Sequence, residues 1–143
     1  MVVTLCIPDT KDFELIKNYI SEFELDDRDL KKEQFMIAKS AEEILAFCRI
    51  RKHNGCDEMC SLGVINAERG KGYAKLLLQE LIKTSTQPLY LACIIPEMFI
   101  PLGFKTVSDY PPELEDKLNY CTSELVVPEE YVIMKYSVSI LTT

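Results

Sequence analysis

The sequence lacks a long apolar segment. No run of apolar residues approaches the ~20 that a membrane-spanning helix requires, although 48% of the 143 residues are hydrophobic. The first seven residues have no basic leader and resemble a short strand, which is not the pattern of a secretory signal. We therefore expect a cytoplasmic protein without a membrane partner, folded as a single domain over residues 1–143.

Positive charge is in the minority. The chain has 16 basic and 23 acidic residues, for a net charge of −7. Residues 109–130 form an acidic segment with seven carboxylates and one basic residue, Lys117. Nucleic-acid-binding surfaces need an excess of basic residues, so we expect no nucleic-acid partner. The acidic segment either attracts a cationic ligand or is simply a solvated surface.

The sequence has six cysteines but no paired Cys-x-x-Cys of the kind found in structural zinc sites. His53-x-x-Cys56-x-x-x-Cys60 supplies three soft ligands at a loose spacing. Most of the cysteines lie among apolar residues, which favours buried, reduced thiols. We therefore predict no bound metal. A thiol or metal protein that uses His53, Cys56 and Cys60 is kept as a third functional hypothesis, behind the two given below.

Glycine is scarce, and its placement is informative. Three of the five glycines, Gly63, Gly70 and Gly72, fall within ten residues. The surrounding stretch, Val64–Lys75, has the pattern of a strand end, a turn and the start of an amphipathic helix. Backbone N–H groups at such a turn, next to a helix N-terminus, form an anion site.

Three basic residues, Arg69, Lys71 and Lys75, fall in the same stretch. Their charge adds to that of the helix N-terminus, and together they predict a phosphate-binding turn.

Apolar periodicity predicts a mixed α/β chain in the order β-α-β-β-β-α-β-α-β-β, with no repeat or interdomain linker. The predicted strands are Val3–Ile7, Gln34–Ala38, Ile44–Arg51, Glu58–Ile65, Leu89–Cys93, Phe104–Val107 and Tyr131–Val138. Three helices are predicted: one that begins at Asp9–Thr10, one over Lys71–Thr84 and one over Glu97–Leu102.

Arg69-x-x-Gly72-x-Ala74 matches the Arg/Gln-x-x-Gly-x-Gly/Ala signature of the GNAT superfamily of N-acetyltransferases. The Leu-Gly-Phe triplet at 102–104 resembles the triplet of the family's following segment. The resemblance implies a twisted mixed sheet of about seven strands flanked by helices. It also implies that the central parallel strands, Glu58–Ile65 and Leu89–Cys93, splay apart around the cofactor.

In this family the phosphates belong to acetyl-CoA, so the resemblance implies acetyl-CoA as cosubstrate. Gly63 indicates either a strand bulge or close backbone approach, or a small residue that packing tolerates. The implied cofactor-binding residues are Leu62, Gly63, Val64, Arg69, Gly70, Lys71, Gly72, Tyr73, Ala74 and Lys75.

For catalysis, Glu58 resembles the glutamate base of histone-type members, and the alternative is an exposed, inert residue at the start of the strand. Phe99 stands where many members have the tyrosine that protonates the leaving thiolate. Cys93, Tyr110 or Tyr120 could replace this tyrosine, or water could suffice because a thiolate is a tolerable leaving group.

The resemblance implies acetyl transfer to a primary amine by direct attack. The alternative is a catalytically weak or inactive acyl-CoA-binding regulatory module, which Phe99 favours. The acceptor would be a small-molecule or peptide amine, and a cationic one if the acidic segment recruits it. The oligomeric state stays open, with a homodimer among the options.

Overall fold

The computed structural model describes residues 2–65 and 69–137. No helix in these ranges has the length and apolar character needed to cross a bilayer. The strands are β1 (Thr4–Cys6), β2 (Phe35–Ser40), β3 (Glu43–Lys52), β4 (Asp57–Val64), β5 (Leu89–Cys93), β6 (Phe104–Thr106) and β7 (Val132–Tyr136). The helices are α1 (Thr10–Glu22), α2 (Tyr73–Lys83), α3 (Pro96–Phe99) and α4 (Pro112–Glu124), with short 3₁₀ turns at Lys32–Gln34 and Ile100–Leu102.

The seven strands form one mixed sheet in the order β1-β2-β3-β4-β5-β7-β6. β4 and β5 are parallel, with Asp57 opposite Leu89 and Glu58 opposite Tyr90. A parallel pair needs a crossover connection, and α2 supplies it. The pairs β1–β2, β2–β3, β5–β7 and β6–β7 are antiparallel. The predicted mixed sheet of about seven strands flanked by helices is confirmed.

The chain divides into two compact units, and the first comprises Met1–Arg51 and Met59–Thr84. Its helix α1 begins with a capping box, in which Asp9 accepts from the backbone N–H of Asp12 and the Asp12 carboxylate accepts in return. The buried face of α1 packs on strands β2 and β3. That core consists of Ile16, Ile20, Phe35, Ile37, Ile44 and Phe47.

The second unit comprises Lys52–Glu58 and Ser85–Thr143. Its core joins the residue before β4, strands β5 and β7, and helix α4. The buried members are Cys56, Tyr90, Leu114 and Ile133.

Helix α4 is absent from the predicted order of elements. The prediction took Tyr110-Pro111-Pro112 as a break followed by an acidic segment, whereas Pro112 is the first residue of a 13-residue helix. Proline suits that position because its missing N–H has no partner within the helix there. The other predicted elements agree to within a few residues. The predicted end of the last strand at Val138 lies outside the described residues, as do 66–68 of the signature stretch.

Candidate active site

Strand β4 carries Leu62, Gly63 and Val64 at its C-terminal end. A Cβ atom on Gly63 would lie 2.8 Å from Cε2 of Phe47 and overlap its ring. Gly63 does not have the positive φ that only glycine adopts readily. Of the two readings of this glycine, the structure favours packing, because an aromatic ring occupies the space of a side chain.

The irregular backbone of β4 lies instead at Ser61, whose φ is 57°. A non-glycine residue in this region costs about 1–3 kcal/mol and persists only where its surroundings enforce it. The buried Ser61 hydroxyl donates to the carbonyl of Asp26 at 2.7 Å and accepts from Nε of Arg49 at 2.9 Å. These two contacts hold the strand in its strained conformation.

The glycine turn leads directly into α2. Gly70 and Gly72 have φ values of 81° and 84°, so both occupy the left-handed region that glycine tolerates. Gly72 is the N-cap, and its carbonyl accepts the first helical bond, from the N–H of Leu76 at 3.1 Å. Because Gly72 has no side chain, the N-cap supplies no capping group to the N–H groups of the first turn. This is the backbone arrangement that binds anions.

Arg69 connects the turn back to the strand. Its Nε donates to the carbonyl of Val64 at 3.2 Å, and its guanidinium carbon lies 5.6 Å from the ring centre of Phe23. Arg69 is nevertheless exposed, as are Gly70, Lys71, Gly72 and Lys75.

Tyr73 and Ala74 are half-buried at the start of α2. Leu77 and Leu78 are buried, whereas Leu76 is 41% exposed. The residues that match the signature, Arg69, Gly72 and Ala74, are thus small or exposed, and they lie at the uncapped start of α2.

Glu58 is buried in the second unit, and both of its carboxylate oxygens have partners. Oε1 lies 2.9 Å from Nε2 of His53. Oε2 lies 3.1 Å from Nζ of Lys117, at an ion-pair distance but without hydrogen-bond geometry. The expectation that a strand-start glutamate would be exposed is wrong for Glu58, since its side chain is 1% exposed.

Asp57, the residue before it, is a buried acceptor that sequence reasoning missed. It accepts from Nε2 of Gln87 at 2.9 Å, from the hydroxyl of Ser85 at 2.8 Å and from the N–H of Thr86 at 3.2 Å. Burial alone would raise its pKa, but these hydrogen bonds and the charge of Lys52 together lower the pKa. Asp57 therefore fixes the segment that leads into β5.

Gln87 also fixes the turn before β4. Its Nε2 lies 2.9 Å from the carbonyl of His53 and 3.1 Å from that of Cys56. The N–H of His53 donates to the Cys56 carbonyl at 2.9 Å. The backbone that carries the imidazole is thus held from two directions.

Phe99 stands at the usual tyrosine position, and three other residues could protonate the leaving thiolate instead. Phe99 is buried edge-on to Phe104, with ring centres 6.1 Å apart. Burial raises the pKa of the Cys93 thiol to about 11, and its Sγ lies 3.7 Å from Sδ of Met134. Tyr110 packs against the core of the second unit, and Tyr120 is half-buried on α4.

The cysteines support the interpretation as structural thiols. All six are free, and all but Cys6 are buried. Burial raises the pKa of Cys56 to about 11, as is typical of a thiol in apolar surroundings. His53 binds Glu58, so its contacts lend no support to a metal site with Cys56 and Cys60.

Lys117, which contacts Glu58, is the residue of this cluster that the sequence indicates most weakly. It is the one basic residue in the acidic segment, and no other feature of the sequence distinguishes it. Its placement depends on α4, which brings it to a residue 59 positions earlier in the chain.

A mixed sheet whose parallel pair is joined through a left-handed glycine turn and an uncapped helix is the arrangement that the resemblance to the GNAT acetyltransferases implies. The acetyltransferase (GNAT) family matches residues 6–97, and the chain belongs to this family. A search of curated protein sequences found no significant match.

Solved structures with the same fold include CoA complexes. N-acetylglutamate synthase from Neisseria gonorrhoeae, complexed with coenzyme A and N-acetyl-glutamate, aligns with a TM-score of 0.72 at 16% identity. The alignment covers 96% of this chain but 36% of that one, so this chain spans about a third of that protein's length.

Two further proteins align over nearly their whole length. Rv2747 from Mycobacterium tuberculosis, in complex with CoA, has a TM-score of 0.75 at 12% identity, over 95% of this chain and 99% of that one. The ribosomal-protein-S18-alanine N-acetyltransferase from Escherichia coli has a TM-score of 0.62 at 16% identity, over 99% of each chain.

Proposed function

We propose that this protein is an N-acetyltransferase that transfers the acetyl group of acetyl-CoA to a primary amine by direct attack. The observation that carries the proposal is the turn at Gly70 and Gly72, which opens an uncapped helix in a member of the GNAT family. The N–H groups of this turn would hold the pyrophosphate of the cosubstrate.

The cofactor-binding residues proposed on this basis fall into two groups. Arg69, Gly70, Lys71, Gly72, Tyr73, Ala74 and Lys75 would receive the phosphates. The backbone of Leu62, Gly63 and Val64 would receive the pantetheine arm in the manner of an added strand.

Direct attack forms a C–N bond between the amine and the thioester carbonyl carbon and breaks the C–S bond. The amine must lose a proton. We propose that Glu58 provides the general base for this step, either by accepting the proton itself or by acting through a neighbouring group. Phe99 cannot donate a proton, so we propose that water protonates the departing thiolate.

The second candidate is an acyl-CoA-binding module with little or no activity, which the phenylalanine at position 99 favours. Both candidates require acetyl-CoA binding, but only the first requires transfer. The acceptor differs among relatives, since one neighbour was solved with N-acetyl-glutamate and another is named for a protein alanine.

Calorimetry with acetyl-CoA, followed by thiol release in the presence of amines, tests the proposal. A suitable panel is L-glutamate, L-glutamine, spermidine and a peptide with an N-terminal alanine. Binding with amine-dependent thiol release supports the enzyme, whereas binding without release from any of these amines supports the module. Absence of binding contradicts both candidates.

A further inference from the structure

Three ionisable side chains meet inside the second unit. Glu58 comes from β4, His53 from the turn that precedes β4, and Lys117 from the buried face of α4. Glu58 and Lys117 are 1% and 5% exposed, while the His53 imidazole is 18% exposed. His53 is therefore the member of the group that is most accessible to solvent.

Glu58 is poorly placed to accept a proton itself. If it were protonated, its attraction to the nearly buried Lys117 ammonium 3.1 Å away would be lost. Neutralising one partner of a buried ion pair is unfavourable, because water screens the attraction between such charges only weakly. The geometry thus favours an ionised Glu58 carboxylate.

An ionised carboxylate accepts hydrogen bonds but cannot donate them. Across the 2.9 Å contact, Nε2 of His53 must therefore carry the hydrogen and donate it to Oε1 of Glu58. In a neutral imidazole this leaves Nδ1 with the lone pair. Within residues 2–65 and 69–137, no hydrogen bond to Nδ1 is present.

We propose that His53 is the catalytic base, accepting the proton of the attacking amine at Nδ1, and that Glu58 is a positioning residue. This inference rests on the proposed acetyl transfer and identifies the group through which Glu58 acts. As the C–N bond forms and the C–S bond breaks, the amine proton moves to Nδ1 and the CoA thiolate leaves with the electron pair. The carboxylate holds the ring tautomer and stabilises the imidazolium, as in other histidine–carboxylate pairs.

Kinetics with the most active amine of the panel test the catalytic role. His53→Gln retains a donor for Glu58 but has no basic nitrogen, so kcat should fall ~10²-fold or more, with acetyl-CoA affinity unchanged. His53→Gly should be similarly slow and should regain turnover when imidazole is added. Lys105→Met, a change at an exposed residue of β6, is the control and should behave as wild type.

The tautomer gives a readout that does not depend on activity. His53 is the only histidine, so its ring nitrogens can be assigned without ambiguity in ¹H–¹⁵N NMR spectra. Wild type should show the hydrogen on Nε2. Glu58→Gln should move it partly to Nδ1, because an amide N–H can donate to Nε2, and should also slow turnover.

Two results would overturn the inference without affecting the proposed function. One is an active wild type whose turnover is unchanged in His53→Gln, and the other is a ring hydrogen on Nδ1 in wild type. A wild type that fails to bind acetyl-CoA, or that releases no thiol, overturns the proposed function and the catalytic role with it. The NMR result distinguishes these failures, since it reports the His53–Glu58 contact alone.

Discussion

At the scale of single residues, Arg49 is a buried charged side chain of the first unit with several hydrogen-bond partners. It is fully buried and donates to the carbonyls of Arg28 and Asp26, to Oε1 of Gln34 and to the Ser61 hydroxyl, at 2.9–3.1 Å. It also lies 3.6 Å from the Asp26 carboxylate. One arginine thus satisfies several buried acceptors and holds the strained residue of β4.

Arg49→Met should therefore lower the free energy of unfolding by ~3–5 kcal/mol, since it keeps most of the volume but removes every donor. Urea denaturation measures the loss. Lys83→Met is the control, because Lys83 pairs with Glu80, the two side chains are 71% and 43% exposed, and exposed pairs contribute ~0–1 kcal/mol. Equal losses in the two variants would show that the buried network adds little to stability.

Asp57 makes a pH-dependent contribution. Its pKa is lowered in the folded protein, whereas the unfolded chain has a value near ~3.9. The stabilisation is therefore fully present above the unfolded pKa and is lost as the pH falls through the folded pKa. Asp57→Asn should cost ~1–3 kcal/mol at pH 7, and the difference from wild type should shrink towards pH 2.

Denaturation at several pH values measures this difference, with Asp109→Asn, at an exposed position, as the control. A difference between wild type and Asp57→Asn that stays constant from pH 7 to pH 2 would contradict the proposed origin of the stabilisation.

At the scale of elements, the turn before α2 can be tested by adding bulk and charge. Gly72→Glu should abolish acetyl-CoA binding in calorimetry, because the side chain occupies the anion position and repels phosphate. Gly55→Glu is the matched control. Gly55 also has positive φ, 99° against 84°, with open space around its Cβ position, so the backbone strain is comparable. Equal affinity in the two folded variants would place the phosphates elsewhere.

The elements that sequence reasoning found are those with one uninterrupted pattern. Helix α2 has a stripe of buried leucines, and β5 is a continuous apolar run. Helix α4 lacks such a stripe, because Lys117 stands between Leu114 and Cys121 on its buried face. A helix whose inner face holds a charge looks like a solvated segment until its partner is known.

The candidate site shows the same limit. The glycine turn is local in sequence, so its anion-binding geometry was predictable from spacing and glycine content. The contact between His53 and Glu58 needs the turn before β4 to be closed by Gln87, more than thirty residues away. The backbone strain of β4 falls at Ser61, although the glycine in the strand is at position 63. Contacts between distant segments decide these features.

At the scale of the whole molecule, charge is unevenly distributed. The net charge is −7, and most of it lies in the acidic segment 109–130, which contains α4. Glu115 and Glu124 are exposed on this helix, which also carries the buried Lys117 that pairs with Glu58. If acceptor amines approach the second unit near α4, these carboxylates raise the encounter rate of cations, an effect that salt screens.

We therefore expect spermidine to be acetylated with a higher kcat/KM than L-glutamate, and this preference to weaken as KCl is added. Glu115→Gln/Glu124→Gln should lower kcat/KM for spermidine several-fold at low salt and much less at high salt. Glu14→Gln/Glu22→Gln on α1 removes the same amount of charge from exposed positions and should have little effect. Equal effects of the two double variants would mean that only net charge matters. A preference for the anionic acceptor, or kinetics that do not change with salt, would leave the acidic segment as a solvated surface without a role in substrate selection.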